Sequence, residues 1–215
     1  MFQKLSPRVK YSRAEYVSDL FVHLAGVLAV AAAVPARVLL ASPLDGSSGH
    51  AAAALVYGVC FAAMIACSAL YNVFPHPDWV WLFKRLDHSA IYLKIAGTYT
   101  AFVLIAGQGF ALALGLWAAA ATGISLKLIA PHRWRGVSIA LYLAMGWSAV
   151  VLGWSIFAVL PGPVILLVGL GGVLYTVGVV FHLWNRLPFH NTIWHVFVLA
   201  ASFTIYAGVV AAVTA

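Results

Sequence analysis

Seven long apolar stretches, separated by short segments that contain Pro or Gly, limit what this chain can fold into. A helix of about 20 apolar residues spans the hydrocarbon core of a bilayer, and Pro and Gly mark its ends. The composition agrees, because 64% of the 215 residues are hydrophobic and 8% are charged, whereas a soluble domain carries about 25% charged residues. The pattern predicts an all-α, seven-transmembrane-helix bundle with spans at 17–40, 51–74, 87–107, 109–130, 137–160, 163–184 and 192–213.

The basic residues predict how this bundle sits in the membrane. Ten of the 12 Lys and Arg residues fall in the N-terminal segment or in the loops after the second, fourth and sixth predicted spans. Because positively charged loops stay in the cytoplasm, the N-terminus is predicted to be cytoplasmic and the C-terminus external. We expect one membrane domain over residues 1–215, with a basic cytoplasmic segment at 1–16, in the inner (plasma) membrane as a multi-pass protein.

The net charge of +7 does not indicate a nucleic-acid-binding protein, because the basic residues lie between apolar stretches and form no single patch. In a membrane protein such residues act as topology signals and contact anionic lipids. Membrane lipids are therefore the predicted partners, and protein partners are left open by the sequence.

Polar residues within the apolar stretches predict an interior site. A charge deep in a bilayer costs at least about 2.5 kcal/mol, so each one needs a reason. At about 100° per residue, four predicted helices each carry a polar stripe, and the main members are Glu15, Asp19, His23, Ser68, Asn72, Asp87, Lys94, Asn191 and His195. We expect the stripes to face one polar cavity near the cytoplasmic leaflet, where Asp87, Asn72 and His195 approach one another. The alternative is separate interfacial residues that reach toward water.

Lys94 lies about 10 Å deeper than Asp87 on the third predicted helix. An ionic partner within the protein would be Asp87 or Asp19. The alternative is a neutral lysine that is hydrogen-bonded in the interior.

Several segments resemble the hemolysin III family, the bacterial branch of the progestin and adiponectin receptor group. The strongest are the stretch from Lys84 to Tyr92 (KRLDHSAIY), AGTYT at 96–100 and IWHVFVL at 193–199. Two further pieces, at 13–26 and 141–147, follow in the expected order. The resemblance implies seven helices with the N-terminus inside, which agrees with the topology that the charges predict.

The same resemblance implies candidate site residues, because the family is related to the alkaline ceramidases. Its metal-binding members hold zinc near the cytoplasmic leaflet, using a Ser and a His four residues later on helix two, an Asp on helix three and two His on helix seven. Ser68 and Asp87 match this pattern and are the candidate catalytic residues, and His195 matches the second His of helix seven. Asn72 and Asn191 stand at the other two His positions, and an amide is a poor zinc ligand.

Two nearby histidines, His76 and His190, are candidate displaced ligands. A zinc ion is therefore possible but not favoured. The favoured alternative is a metal-free network in which Asn72, Asn191 and His195 donate hydrogen bonds to an ionised Asp87.

These residues favour a non-catalytic or regulatory membrane protein that acts in membrane lipid homeostasis. The main alternative is a metal-dependent membrane hydrolase that acts on lipid amides. A pore-forming cytolysin is suggested by the family's name alone. A microbial rhodopsin is excluded because it carries its retinal lysine on helix seven, where this sequence has no Lys.

Overall fold

The computed structural model describes residues 12–41, 48–74, 76–129 and 134–215. Within these ranges the chain is all-helical, and seven helices are long and apolar enough to cross a membrane. The predicted fold class is therefore confirmed. The helices are α1 (Arg13–Ala41), α2 (Ser48–Val73), α3 (Val80–Ala106), α4 (Phe110–Ile129), α5 (Arg135–Leu152), the short α6 (Trp154–Phe157), α7 (Gly162–Leu183) and α8 (His190–Thr214).

Two boundaries differ from the prediction by more than four residues. Helix α3 begins at Val80 and not at 87, because the long side chains of its first turns reach polar groups: Arg85 Nε donates to the Leu128 carbonyl at 3.0 Å. The fifth span ends at Leu152 and not at 160, since Gly153 separates α5 from α6. Hydropathy alone does not detect such a break inside an apolar stretch.

The connection between α3 and α4 requires glycine. Gly107 and Gly109 have φ angles of 64° and 87°, in the left-handed region that other residues rarely adopt. This tight turn makes α3 and α4 antiparallel neighbours.

Part of the topology argument falls outside the described residues. Lys4, Arg8, Lys10 and Arg133 lie there, as do the predicted breaks at 42–46 and 131–132. The orientation of the bundle relative to the membrane stays a prediction.

Helices α2, α3 and α8 form the centre of the bundle. Their largest buried side chains include Tyr57 and Phe61 of α2 and Phe102 of α3, and Val209 of α8 packs in the same core. Helices α1, α4, α5 and α7 lie around them and expose many large apolar side chains, as expected of helices that face lipid. Helix α1 packs on both α2 and α8, which brings the polar residues of these three helices together.

Candidate functional site

A carboxylate fixes the starts of α1 and α8 relative to each other. Ser12 and Glu15 form a capping box, in which Glu15 N donates to Ser12 Oγ at 3.2 Å and Ser12 N donates to Glu15 Oε2 at 2.9 Å. The other oxygen of Glu15 accepts a hydrogen bond from the backbone N–H of Phe189 at 2.9 Å, directly before α8. The first turns of the two helices are thereby held side by side.

One turn further into α1, Asp19 is the centre of a buried polar network. His195 Nδ1 of α8 lies 2.6 Å from Asp19 Oδ1, and Asn191 Nδ2 donates to Asp19 Oδ2 at a longer 3.4 Å. An ionised carboxylate only accepts, so the His195 ring is the donor. Asp19 is 3% exposed and His195 is 8% exposed, which makes this a water-excluded, charge-assisted contact between α1 and α8.

His23 extends the network from α1 to α2. Its Nδ1 lies 2.8 Å from the Asp19 carbonyl oxygen, which can only accept, so Nδ1 carries the proton. In the neutral ring Nε2 is then free to accept the Ser68 hydroxyl at 3.0 Å. Asn72 Nδ2 donates to the Ser68 carbonyl at 3.0 Å and to its hydroxyl at 3.3 Å. Residues of α1, α2 and α8 thus share one hydrogen-bonded network.

The same residues include a group that could bind a metal ion. Asp19, His23 and His195 each offer a ligand atom, and these atoms lie within 4.8 Å of one another. A carboxylate with two imidazoles is a donor set that zinc accepts. The sequence placed Asp19 and His23 in a polar stripe but did not identify them as ligands. The signal was the four-residue spacing of Asp and His on one helix face, opposite His195.

The structure places Asp87 beside this network and not at its centre. Its Oδ2 lies 3.7 Å from His88 Nδ1 on α3. Asn191 and His195 bond to Asp19, and Asn72 bonds to Ser68; the sequence had assigned all three hydrogen bonds to Asp87. The difference arises because the rotation of α1 against α8 turns Asp19 toward both α8 side chains, and hydropathy does not fix that rotation.

The two candidate displaced ligands have different positions. His190 lines the interior cavity, and its Nδ1 is buried without a hydrogen-bond partner among the described residues. The side chain of His76 is 59% exposed and lies 3.9 Å from Asp78 in the segment before α3. The structure therefore brings His190 to the site and leaves His76 outside it.

A cavity of about 700 Å³ runs into the bundle from this network. Asp87, Asn72 and His195 all line it, together with Ser68 and Asn191. Most of its wall is apolar and comes from α2, α3, α5, α7 and α8. Most of its polar residues lie where α2, α4 and α7 end and where α3, α5 and α8 begin.

Lys94 lies in the wall of the same cavity and is 3% exposed. Its Nζ donates to Thr98 Oγ1 at 3.1 Å and lies 3.6 Å from the centroid of the Tyr57 ring. The sequence left two alternatives open for Lys94. The structure agrees with a lysine that is hydrogen-bonded in the interior, and its ammonium group also lies over an aromatic ring.

These features define a multi-pass integral membrane protein with a buried Asp/His/His group at one end of an interior cavity. A family model described as Haemolysin-III related matches residues 13–206, so the chain belongs to that family. The resemblance seen in the sequence is confirmed.

Two bacterial relatives match most of the chain. It is 34% identical over 205 residues to Hemolysin-3 of Bacillus cereus, covering 94% of this chain and 93% of that protein. It is 35% identical over 191 residues to the Hemolysin-3 homolog of Bacillus subtilis (strain 168), covering 87% and 89%. Together with the seven apolar helices, these bacterial relatives support a multi-pass membrane protein.

A more distant likeness reaches an animal protein. The Monocyte to macrophage differentiation factor of Homo sapiens is 24% identical over 204 residues, covering 91% of this chain and 83% of that protein. This likeness agrees with the wider receptor group that the sequence segments indicated.

Proposed function

We propose that this chain is a non-catalytic membrane protein that holds a lipid chain in its interior cavity and acts in the regulation of membrane lipid. The observation that carries this proposal is the bonding of Asp19 by His195 and Asn191. The family's ligand positions on α8 are engaged in a hydrogen-bonded contact with α1. On α2, Asn72 bonds to Ser68 and offers no imidazole.

The shape of the cavity supports a lipid as the ligand. A volume of about 700 Å³ lies within the usual range of small-molecule sites, roughly 300–1,000 Å³. Its apolar wall suits a hydrocarbon chain, and the polar residues at its end suit a headgroup. An acyl chain that enters between lipid-facing helices would pass from the bilayer into the cavity without crossing water.

The amount of lipid that copurifies with the protein tests this proposal. Substitutions at two glycines, one inside the cavity and one outside it, provide a matched pair. Gly172 of α7 lines the cavity, and Gly115 of α4 has open space around its Cα. We expect native mass spectrometry of the detergent-purified protein to show a bound lipid in the wild type and in Gly115→Trp. Gly172→Trp should lose most of it, because the indole obstructs the cavity. Equal lipid in all three proteins would contradict the proposal.

A second candidate function is metal-dependent hydrolysis of a lipid amide, favoured by the proximity of Asp19, His23 and His195. These residues would hold the ion, and a bound zinc ion would supply Lewis-acid chemistry. Ser68, hydrogen-bonded to His23, and Asp87 line the same cavity and would contact the substrate.

Turnover of a fluorescent lipid amide by the zinc-supplemented protein separates the two candidates. Hydrolysis that is lost in Asp19→Asn and kept in Asp78→Asn would favour the hydrolase. The first proposal expects no hydrolysis above background in any of these proteins.

A further inference from the structure

Three cations from three helices line the polar end of the cavity: Lys84 of α3, Lys127 of α4 and Arg135 of α5. We call this group the basic end. Among the lining residues that the structure describes, Asp87 is the single carboxylate. Glu15 and Asp19 are engaged by the starts of α1 and α8. The basic end therefore carries an excess of positive charge in a partly water-excluded place.

Lys127 shows this imbalance most clearly. It is 3% exposed, and no acceptor among the described residues lies at hydrogen-bond distance from its Nζ. Lys84 and Arg135 are close enough for their like charges to act on it. A lysine side chain that is largely removed from water beside like charges is costly unless an anion compensates it.

Two histidine rings also indicate that an anion binds at this end of the cavity. The Nδ1 atoms of His182 on α7 and His190 on α8 are buried without a hydrogen-bond partner among the described residues. Both residues line the cavity, and His182 lies within electrostatic reach of Lys127 and Arg135. Buried polar atoms without partners are rare in folded proteins and call for an explanation. An anion with several acceptor oxygens would satisfy both rings and the lysine.

We propose that the basic end binds the phosphate group of an anionic phospholipid whose acyl chain occupies the apolar part of the cavity. The guanidinium of Arg135 suits two phosphate oxygens at once, and Lys127 supplies a buried point charge. A phosphate monoester carries roughly −1.5 to −2 charges at pH 7, which balances three cations and Asp87 better than a diester does. We therefore expect phosphatidate to bind more tightly than phosphatidylglycerol, and both more tightly than phosphatidylcholine. The acyl chain in this proposal rests on the proposed lipid-binding function; the phosphate site does not.

The test measures ligand binding to the delipidated, detergent-purified protein through its thermal stability. Short-chain phosphatidate should bind at least about tenfold more tightly than phosphatidylcholine of the same chain length, since the diester of phosphatidylcholine carries less negative charge and its choline cation is repelled by the basic end. Lys127→Gln and Arg135→Gln should each weaken phosphatidate binding by about tenfold and reduce its dependence on salt. Arg186→Gln changes an exposed cation between α7 and α8 and should bind as the wild type does. If Lys127→Gln does not fold, Arg135→Gln still tests the site, because it changes an exposed side chain.

Binding of inorganic phosphate tests the phosphate site separately from the binding of the lipid acyl chain. Stabilisation by phosphate that depends on Lys127 or Arg135, without stabilisation by any lipid, would retain the anion site and reject the lipid-chain function. Equal binding of phosphatidate and phosphatidylcholine, unchanged in both variants, would overturn the phosphate site and leave the lipid-chain function standing.

Discussion

The Asp19 side chain connects α1 to α8 at a depth where water is excluded. Its oxygens accept from His195 at 2.6 Å and from Asn191 at 3.4 Å. Its backbone carbonyl orients His23, which in turn accepts the Ser68 hydroxyl. The side chain and the backbone carbonyl of Asp19 together connect residues of three helices in one network.

Replacing Asp19 tests this role. Asp19→Asn removes the charge that strengthens the His195 contact, and we expect a loss of roughly 1.5–3 kcal/mol of stability. Thermal unfolding of the purified protein in detergent measures it. Asp78→Asn makes the same chemical change at a side chain that is 85% exposed, and it should leave the transition unchanged. Equal transitions in the two variants would show that the Asp19 network contributes nothing to the fold.

At the residue scale, the sequence predicted the members of the network better than its centre. The polar stripes already grouped Asp19, His23 and His195 with Ser68 and Asn72, because the helical period of 3.6 residues is enough to assign residues to one face of a helix. Which carboxylate receives the hydrogen bonds depends on how α1 and α3 are rotated against α8. That rotation comes from side-chain packing across the whole bundle, which a stripe does not encode.

At the element scale, helices α2 and α3 approach closely at a pair of small residues, Gly97 and Cys60. A Cβ added at Gly97 of α3 would lie 2.8 Å from the Cβ of Cys60 on α2. Small residues allow such approach, and in lipid the close packing itself holds helices together. This contact sets the distance between two walls of the cavity.

Gly97→Ala tests the close approach. The added methyl group has no room, and overpacking of this kind costs about 1–3 kcal/mol. Gly115→Ala is the matched control, since nothing lies within 4 Å of its added Cβ. Thermal unfolding should show a lowered transition for Gly97→Ala and an unchanged or raised one for Gly115→Ala. A raised transition for Gly97→Ala would mean that α2 and α3 are not in close contact there.

The spans themselves were predictable at this scale. Hydropathy gave all seven, because each must present about 20 apolar residues to lipid. It missed the break at Gly153 between α5 and α6, and it missed the early start of α3 at Val80, where Arg85 donates to the carbonyls of Trp81 and Leu128.

At the scale of the whole molecule, the polar residues gather at one end of the bundle. The ends of α2, α4 and α7 and the starts of α1, α3, α5 and α8 meet there. The distribution of Lys and Arg predicts that this end faces the cytoplasm. A cavity that opens there would draw its lipid from the inner leaflet.

A reporter at the C-terminus tests that orientation. With seven spans and a cytoplasmic N-terminus, a fusion at Ala215 to an enzyme active only in the cytoplasm should give no signal. The same reporter fused before Arg13 should be active. A strong signal from the C-terminal fusion would reverse the predicted position of the cavity.

Metal analysis of the purified wild-type protein measures whether the network around Asp19 binds zinc. The family resemblance implies imidazoles at the positions of Asn72 and Asn191, and these two amides instead hydrogen-bond to Ser68 and Asp19. We expect far less than one zinc ion per chain, and a rise toward one in the double variant Asn72→His with Asn191→His, which restores three imidazoles. Near-stoichiometric zinc in the wild-type protein would contradict the account and assign the ion to Asp19, His23 and His195.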